Sequence, residues 1–506
     1  SSIHPVLRRV SSPWQHQTTA SSDIELFSSI WVRQLSSNRR QLEARPALSS
    51  PSLRIRSFPG SGGVAMSAPE LDGDYMGGSH DADHLCVLVH GLWGDPSHMK
   101  NIAKALRSQY SRDRLCLLLA KRNSGSFTYD GIELGGERVC AEIEEELQSR
   151  AGKVKKLSLV GYSLGGLVSR YAVGLLYAKG LLDEVECMNF VTFASPHLGV
   201  RSPLKGWHNY IWNYVGARSL SMSGRQLFTI DKFRDTDRPL LSVLADPSSI
   251  FMRGLRKFKR RTLYANIVND RSAVYYTTCI QKTDPYCGNM QKIEPKYVQG
   301  YESVVLDPEV PYTLRSGSSH NTSSPTSTAL TWVKRLPLII MVAVLVPAGT
   351  IAFLCNSVIQ TAKSSDRIKR HEAGQANVNV QEYRVPLMLK EMRGEMEKAY
   401  GALNNSQSQD FLASDEDDVD ADIGVEGRLV MSRERRQSSS TQPTLALTPH
   451  QFQMIDALDE LQWRKIPVWI HNDRHSHAAI IVRFAKKSFD EGFLVLRHFA
   501  KGEFLI

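Results

Sequence analysis

Residues Leu157–Val168, LSLVGYSLGGLV, constrain this chain more than any other stretch. A short apolar run ends at Gly161-Tyr162-Ser163-Leu164-Gly165, and Leu167 to Lys179 then reads as a helix. Strand, sharp turn and helix are the setting in which G-x-S-x-G forms a nucleophile elbow. Only small residues fit beside a serine in so tight a turn, which accounts for Gly161 and Gly165. The turn lifts the Ser163 hydroxyl clear of the chain. It also sets the Leu164 N–H at a helix N-terminus, where a negative oxygen is stabilised. The plainer alternative is a glycine-rich turn whose serine only caps the helix.

The flanking sequence supplies the rest of a sheet. Leu85–Val89 is a continuous apolar run suited to a buried parallel strand, and it leads into His90-Gly91-Leu92. A turn after an early strand provides the second oxyanion donor in serine esterases, and the Leu92 N–H is assigned that role. A simple strand-to-loop turn is the alternative. Met99–Ser108 reads as a helix, Leu115–Ala120 as a strand. Gly136–Arg150 reads as an amphipathic helix with apolar positions 139, 143 and 147 and glutamates opposite. Strands follow at Asn189–Ala194, ending in Ser195-Pro196-His197-Leu198-Gly199, and at Thr262–Val268. The alternation predicts an α/β fold, a mostly parallel sheet with helices on both faces.

Asn269-Asp270-Arg271 follows the last of those strands at once. An acidic residue just past a strand and downstream of the nucleophile can orient a catalytic base; it can also simply cap its own turn. The base must come from a histidine. His197 reads better as a loop residue shaping the pocket, because a later stretch, RKIPVWIHNDRHSH at 464–477, offers a strand followed by His471, His475 and His477.

Composition narrows the partners. The formal charge of +10, from 62 basic and 52 acidic residues, is mild. With no zinc-finger spacing or other nucleic-acid signature, an anionic lipid surface is favoured over nucleic acid as a partner; the basic run Arg253–Arg261 itself reads first as a solvated helix face, with membrane contact the sharper alternative. The crowd Trp207, Tyr210, Trp212 and Tyr214 suits a water–lipid boundary or ordinary packing. Seven scattered cysteines suggest buried thiols in a reducing compartment, not a disulfide framework.

Leu336–Ile359 is a run of 24 uncharged residues flanked by Lys334, Arg335 and Lys363. About 20 apolar residues suffice to span a bilayer. A single crossing, however, would separate Ser163 from every late histidine. The segment therefore enters and leaves on the same side, as Pro347 and Gly349 permit, or it is a buried helix, or there is no triad. A same-side hairpin suits the cytoplasmic face of a membrane or a lipid-droplet monolayer. Residues 1–80 are expected to be a disordered extension. Its first 65 residues hold eight arginines, no lysine and three acidic residues, as in a transit sequence or a stretch preceding a start at Met66; the second reading is preferred. The expected divisions are a core at 81–300, the insertion at 301–362, a disordered charged linker at 363–450 and completion of the core at 451–506.

In LVHGLWGDPSHM, LVGYSLGGLVSRYAVGLLY, TFASPHLGVR, LYANIVNDRSAVYYT and RHSHAAIIV, the chain resembles the fungal serine esterases of the DUF676 type, a group that includes a lipid-droplet phospholipase of yeast. The resemblance covers 84 to about 300 and 455–485. It implies an α/β-hydrolase fold and lipid ester hydrolysis without metal or organic cofactor. It also implies Ser163 as nucleophile, Asp270 as acid and His477 as base, since His477 directly precedes the small, apolar helix start. In this chain Ala273-Val274 replaces the Val-Pro usual after the aspartate, a departure expected to alter the turn near Asp270. Acyl transfer by the same residues, or a non-catalytic droplet adaptor, are the alternatives.

Overall fold

The computed structural model describes residues 75–200, 221–315, 358–375, 383–386, 445 and 447–506. The N-terminal extension before 75, the aromatic crowd at 207–214, the apolar stretch up to 357 and the acidic part of the linker lie outside the described residues.

Six strands form one parallel sheet: β1 His84–Val89, β2 Leu115–Leu119, β3 Lys156–Tyr162, β4 Glu186–Phe193, β5 Arg260–Asn266 and β8 Arg464–Val468. The spatial order is β2-β1-β3-β4-β5-β8. A separate two-stranded ribbon pairs β6 (Ile293–Pro295) with β7 (Tyr312–Leu314). The central strands are apolar almost throughout because both faces are covered. Leu85, Val87 and Val89 point into one core, and Cys86 and Leu88 into the other. The first core is closed by α2 (Ile132–Ser149), α3 (Leu164–Ala178), α4 (Ile250–Arg256) and α6 (Pro449–Asp459). The second is closed by α1 (Lys100–Arg107), α7 (Glu491–His498) and Phe499 and Phe504 beyond it. A further helix, α5, spans 358–372. The α/β architecture expected from the alternation is the one observed.

Strand order places the site. The chain runs from β1 outward to β2, then returns to the other side of β1 as β3, with Val89 opposite Gly161. That reversal is a topological switch point, where the turns leaving two adjacent strands part and open a crevice. The turns after β1 and β3 are those carrying Leu92 and Ser163.

Several boundaries differ from expectation. Gly77, within the expected extension, exchanges both backbone hydrogen bonds with Leu117 on β2. Residues 304–306, expected in the insertion, bridge to β8, with Leu306 N–H donating to the Pro467 carbonyl at 3.0 Å. The expected linker opens with α5, whose Arg367 forms an ion pair with Asp130 and whose His371 lies 2.6 Å from Glu137; composition averaged over 363–450 hid a short basic helix. The run 253–261 carries exposed ion pairs at its surface. Arg256 pairs with Glu460 and Lys257 with Asp183, while Arg261 donates to the Leu461 carbonyl at 2.7 Å. Among the described residues, no helix is long and apolar enough to cross a membrane.

The amino end of the sheet is sealed by a buried polar knot. His84 lies 2.7 Å from Ser158 Oγ and stacks on Phe504, and Asn189 donates to the Leu505 carbonyl at 2.7 Å. Burial, aided by Lys156, pushes the His84 imidazole down from 6.5 to about 4. The unfolded chain therefore takes up a proton below pH 6.5 that the folded chain refuses, so stability falls with pH from 6.5 and the loss levels off near 4. From pH 6.5 to about 5 this amounts to about 2 kcal/mol for His84. Urea unfolding near pH 7.5 and pH 5 measures it: the acid loss should shrink by about that amount in His84→Gln, and equal losses would exclude the assignment.

Candidate functional site

Ser163 sits between β3 and α3 with φ 55° and ψ −126°, a left-handed conformation that a residue with a side chain adopts only when its surroundings impose it. Its surroundings are backbone. A Cβ on Gly161 would lie 2.4 Å from the Gly166 Cα, and one on Gly165 would lie 2.2 Å from the Val89 carbonyl oxygen. The glycines flanking the serine are thus required by strand-on-helix contact. The Ser163 N–H donates to the Phe193 carbonyl at 2.9 Å, tying the turn to β4.

His477 Nε2 lies 2.9 Å from Ser163 Oγ, and His477 Nδ1 lies 2.9 Å from Asp270 Oδ2. Residues 163, 270 and 477, predicted as a set, are therefore brought together in hydrogen-bond order. Asp270 is 7% exposed, and its carboxylate is fully engaged. Oδ1 accepts the N–H groups of Ser272 (3.0 Å) and Ala273 (2.8 Å), and Oδ2 accepts the Asn266 amide at 3.0 Å besides His477. Such a carboxylate is fixed in rotamer. The replacement of Val-Pro by Ala273-Val274 leaves the turn intact. Val274 has φ −63°, the value a proline would impose.

Three other residues, missed by sequence reading, hold the histidine. The buried Tyr162 hydroxyl donates to the His477 carbonyl at 2.9 Å, and Ser476 Oγ donates to the Val268 carbonyl at 2.9 Å. Asp473 braces the loop, its Oδ1 accepting the His475 N–H at 2.8 Å and its Oδ2 accepting Lys486 at 2.6 Å. The signal for Asp473 was present, an acidic residue inside a histidine-rich loop; nothing local marks Tyr162. His471 stacks on Trp469, with ring centroids 4.2 Å apart, and His475 caps the short helix Ser476–Ala479; neither contacts Ser163.

The Leu92 turn lies against Ser163. A Cβ on Gly91 would be 2.7 Å from Ser163 Cβ and 3.3 Å from its Oγ. Among the described residues, neither the Leu92 nor the Leu164 N–H donates to a backbone acceptor. Two such donors beside the half-buried Ser163 can receive an oxyanion. His90 is buried and kept neutral by burial.

His197, expected to shape the pocket, is instead fully buried. Its Nε2 lies 3.0 Å from Thr192 Oγ1, and burial together with the Arg170 guanidinium holds its imidazole well below the ordinary range, hence neutral. Arg170 is itself fully buried on α3 and donates to the His197 carbonyl at 3.4 Å. These residues clamp the loop after β4.

The left-handed backbone at Ser163 predicts a difference in stability between two variants. Ser163→Gly should unfold at a free energy about 1 kcal/mol higher than Ser163→Ala, because only alanine retains the strained φ. Denaturant titration of the two proteins checks this; equal midpoints would show that the turn is unstrained.

Residues 79–285 match the family described as "Putative serine esterase (DUF676)". The matched segment contains Ser163 and Asp270 and ends before His477. Among curated relatives, "Putative lipase ROG1" of Saccharomyces cerevisiae is 31% identical over 204 residues, covering 39% of this chain and 28% of its own. "Putative lipase YDL109C" of the same yeast is 32% identical over 217 residues, covering 42% and 32%. "Putative lipase C4A8.10" of Schizosaccharomyces pombe is 28% identical over 208 residues, covering 39% and 26%. The chain thus spans only about a quarter to a third of the length of these relatives. A solved lipase-esterase related protein from Clostridium acetobutylicum is 14% identical with a TM-score of 0.24, covering 40% of this chain and 81% of that one; at that score the likeness adds nothing to the strand order. The elbow, its flanking strands and the aspartate turn all lie inside the stretch 79–285 that is similar to the DUF676 serine esterases.

Proposed function

We propose that this protein hydrolyses carboxylic ester bonds of lipids by a Ser163–His477–Asp270 triad. The observation that carries the reading is the pair of 2.9 Å contacts that join the hydroxyl, the imidazole and the carboxylate in order. His477 Nε2 takes the Ser163 proton as Oγ attacks the ester carbonyl. The negative oxygen that forms is met by the N–H groups of Leu92 and Leu164. Asp270 holds Nδ1–H toward itself, fixes the tautomer and favours the imidazolium. The imidazolium then protonates the departing alcohol, and water, activated by the same nitrogen, cleaves the acyl-enzyme. The lipid part of the proposal is supported by the lipase names of the yeast relatives and by the uncharged run 336–359.

Ser163→Ala and His477→Gln should each lower ester hydrolysis by at least about 10³-fold, and the double variant should be no worse than either single one, because the two groups act as a unit. A fluorophosphonate probe should label wild type and not Ser163→Ala. Labelling retained at another residue, or turnover retained in the variant, would reject the triad. Hydrolysis of phospholipid against acylglycerol vesicles, with and without an added alcohol acceptor, separates substrate classes and distinguishes hydrolysis from transfer.

For the surface, we propose that the 336–359 run attaches the protein to the cytoplasmic face of a membrane or lipid droplet. Deleting 336–357 should then abolish flotation with phospholipid vesicles while short soluble esters are still hydrolysed; unchanged flotation would exclude the anchor.

A further inference from the structure

Helix α5 begins where the uncharged run ends and lies against the wall that supports the oxyanion turn. Arg367, on this helix, reaches Asp130 through Nε (3.0 Å to both oxygens) and Nη2 (2.6 Å), and Nη2 also donates to the Ser126 carbonyl at 2.9 Å. Its guanidinium lies 4.9 Å from the centre of the Phe127 ring. The Asp130 side chain is wholly buried, and Arg138 completes its shell at 2.7 Å. Residues Gly125–Tyr129 are a single 3-10 turn ending at Asp130, so Arg367 grips that turn at both ends.

The other side of the same turn holds the chain beside Leu92. Thr128 Oγ1 accepts the Trp93 N–H at 3.0 Å, and the Gly125 N–H donates to the Gly94 carbonyl at 2.8 Å. The Trp93 indole N–H donates to the Tyr129 hydroxyl. Trp93 has φ 56°, a conformation that a bulky residue leaves unless other bonds retain it. The Trp93 nitrogen belongs to the peptide plane that follows Leu92, so fixing it fixes the direction in which the Leu92 turn is aimed.

We propose that Arg367 is a positioning residue for the oxyanion turn, acting through the 125–130 turn. The inference rests on the reading of Leu92 as an oxyanion donor. It makes chemistry at Ser163 depend on a helix that lies about two hundred residues away in sequence and outside the stretch shared with the esterase family, which ends at 285. The dependence is specific to α5 and not general to its surroundings. Neighbouring contacts between this part of the chain and α2 are numerous, with His371 2.6 Å from Glu137 and Tyr383 donating to Glu144 at 2.7 Å. They hold the helix in place without touching the turn. Because Arg138 still serves Asp130, loss of Arg367 loosens the turn and does not unfold it.

The test uses the full chain. An oxyanion donor acts mainly in the transition state, so Arg367→Ala should lower kcat on a short soluble ester about tenfold and leave KM within about twofold, with partial recovery in Arg367→Lys. The exposed Arg370→Ala on the same helix serves as control and should match wild type. Amide hydrogen exchange by mass spectrometry should accelerate in peptides covering 91–94 and 125–130 and nowhere else. Adding Thr128→Val to Arg367→Ala should cost less than the two single losses combined, since both act on one chain of contacts. Unchanged exchange at 91–94, full additivity with Thr128→Val, or faster exchange spread over the whole domain would each overturn the proposal. If wild type hydrolyses no ester at all, the esterase reading fails, and exchange at 91–94 still decides whether Arg367 holds the turn.

Discussion

Backbone pressed on backbone at the end of β3 is the contact on which the site depends. Gly161 meets Gly166, and Gly165 meets the carbonyl of Val89, at separations that leave no room for a methyl group. Two consequences follow from this closeness. The chain must reverse so sharply that Ser163 takes a left-handed φ, which turns its hydroxyl outward. The turn leaving β1 must also pass within van der Waals reach of that hydroxyl, as Gly91 does. Candidate nucleophile and candidate oxyanion donors are thus positioned by the same packing event, before any histidine or aspartate is considered.

The remaining groups come from strand ends further along the sheet. β5 delivers Asp270 and β8 delivers His477, and those strands are direct neighbours. The carboxylate is saturated by two N–H groups and the Asn266 amide before it meets the imidazole. The backbone carbonyl of His477 is held in turn by the Tyr162 hydroxyl. Rigidity here comes from many short bonds to backbone atoms, each of modest strength and jointly restrictive.

What could be read from the sequence divides along physical lines. The elbow, the buried strands and the Asp270 turn were legible because each is a local pattern: an apolar run, a small residue at a tight bend, an acid after a strand. Choosing His477 over His471 and His475 depended on resemblance, since three histidines within seven residues look alike until the strand register is known. His197 was misread as a pocket residue because its burial is decided by Arg170 and Trp463, partners that no local pattern connects to it. The glutamate face of α2 shows the same limit. Read alone it belongs in water, yet Glu137 is covered by His371 from a helix more than two hundred residues later.

One consequence concerns how the molecule is made. β8 pairs with β5 but is made about two hundred residues after it. Until the ribosome has released that part, β5 offers a row of unpaired N–H and C=O groups to any other extended chain. Leu263, Tyr264 and Ala265 in its middle are wholly buried in the finished protein, so the nascent edge is greasy as well as unpaired. The long intervening stretch adds little to the entropy of closing the sheet, because that cost grows only with the logarithm of loop length. It does prolong the interval during which the edge stays open, and so the need for a chaperone to shield it.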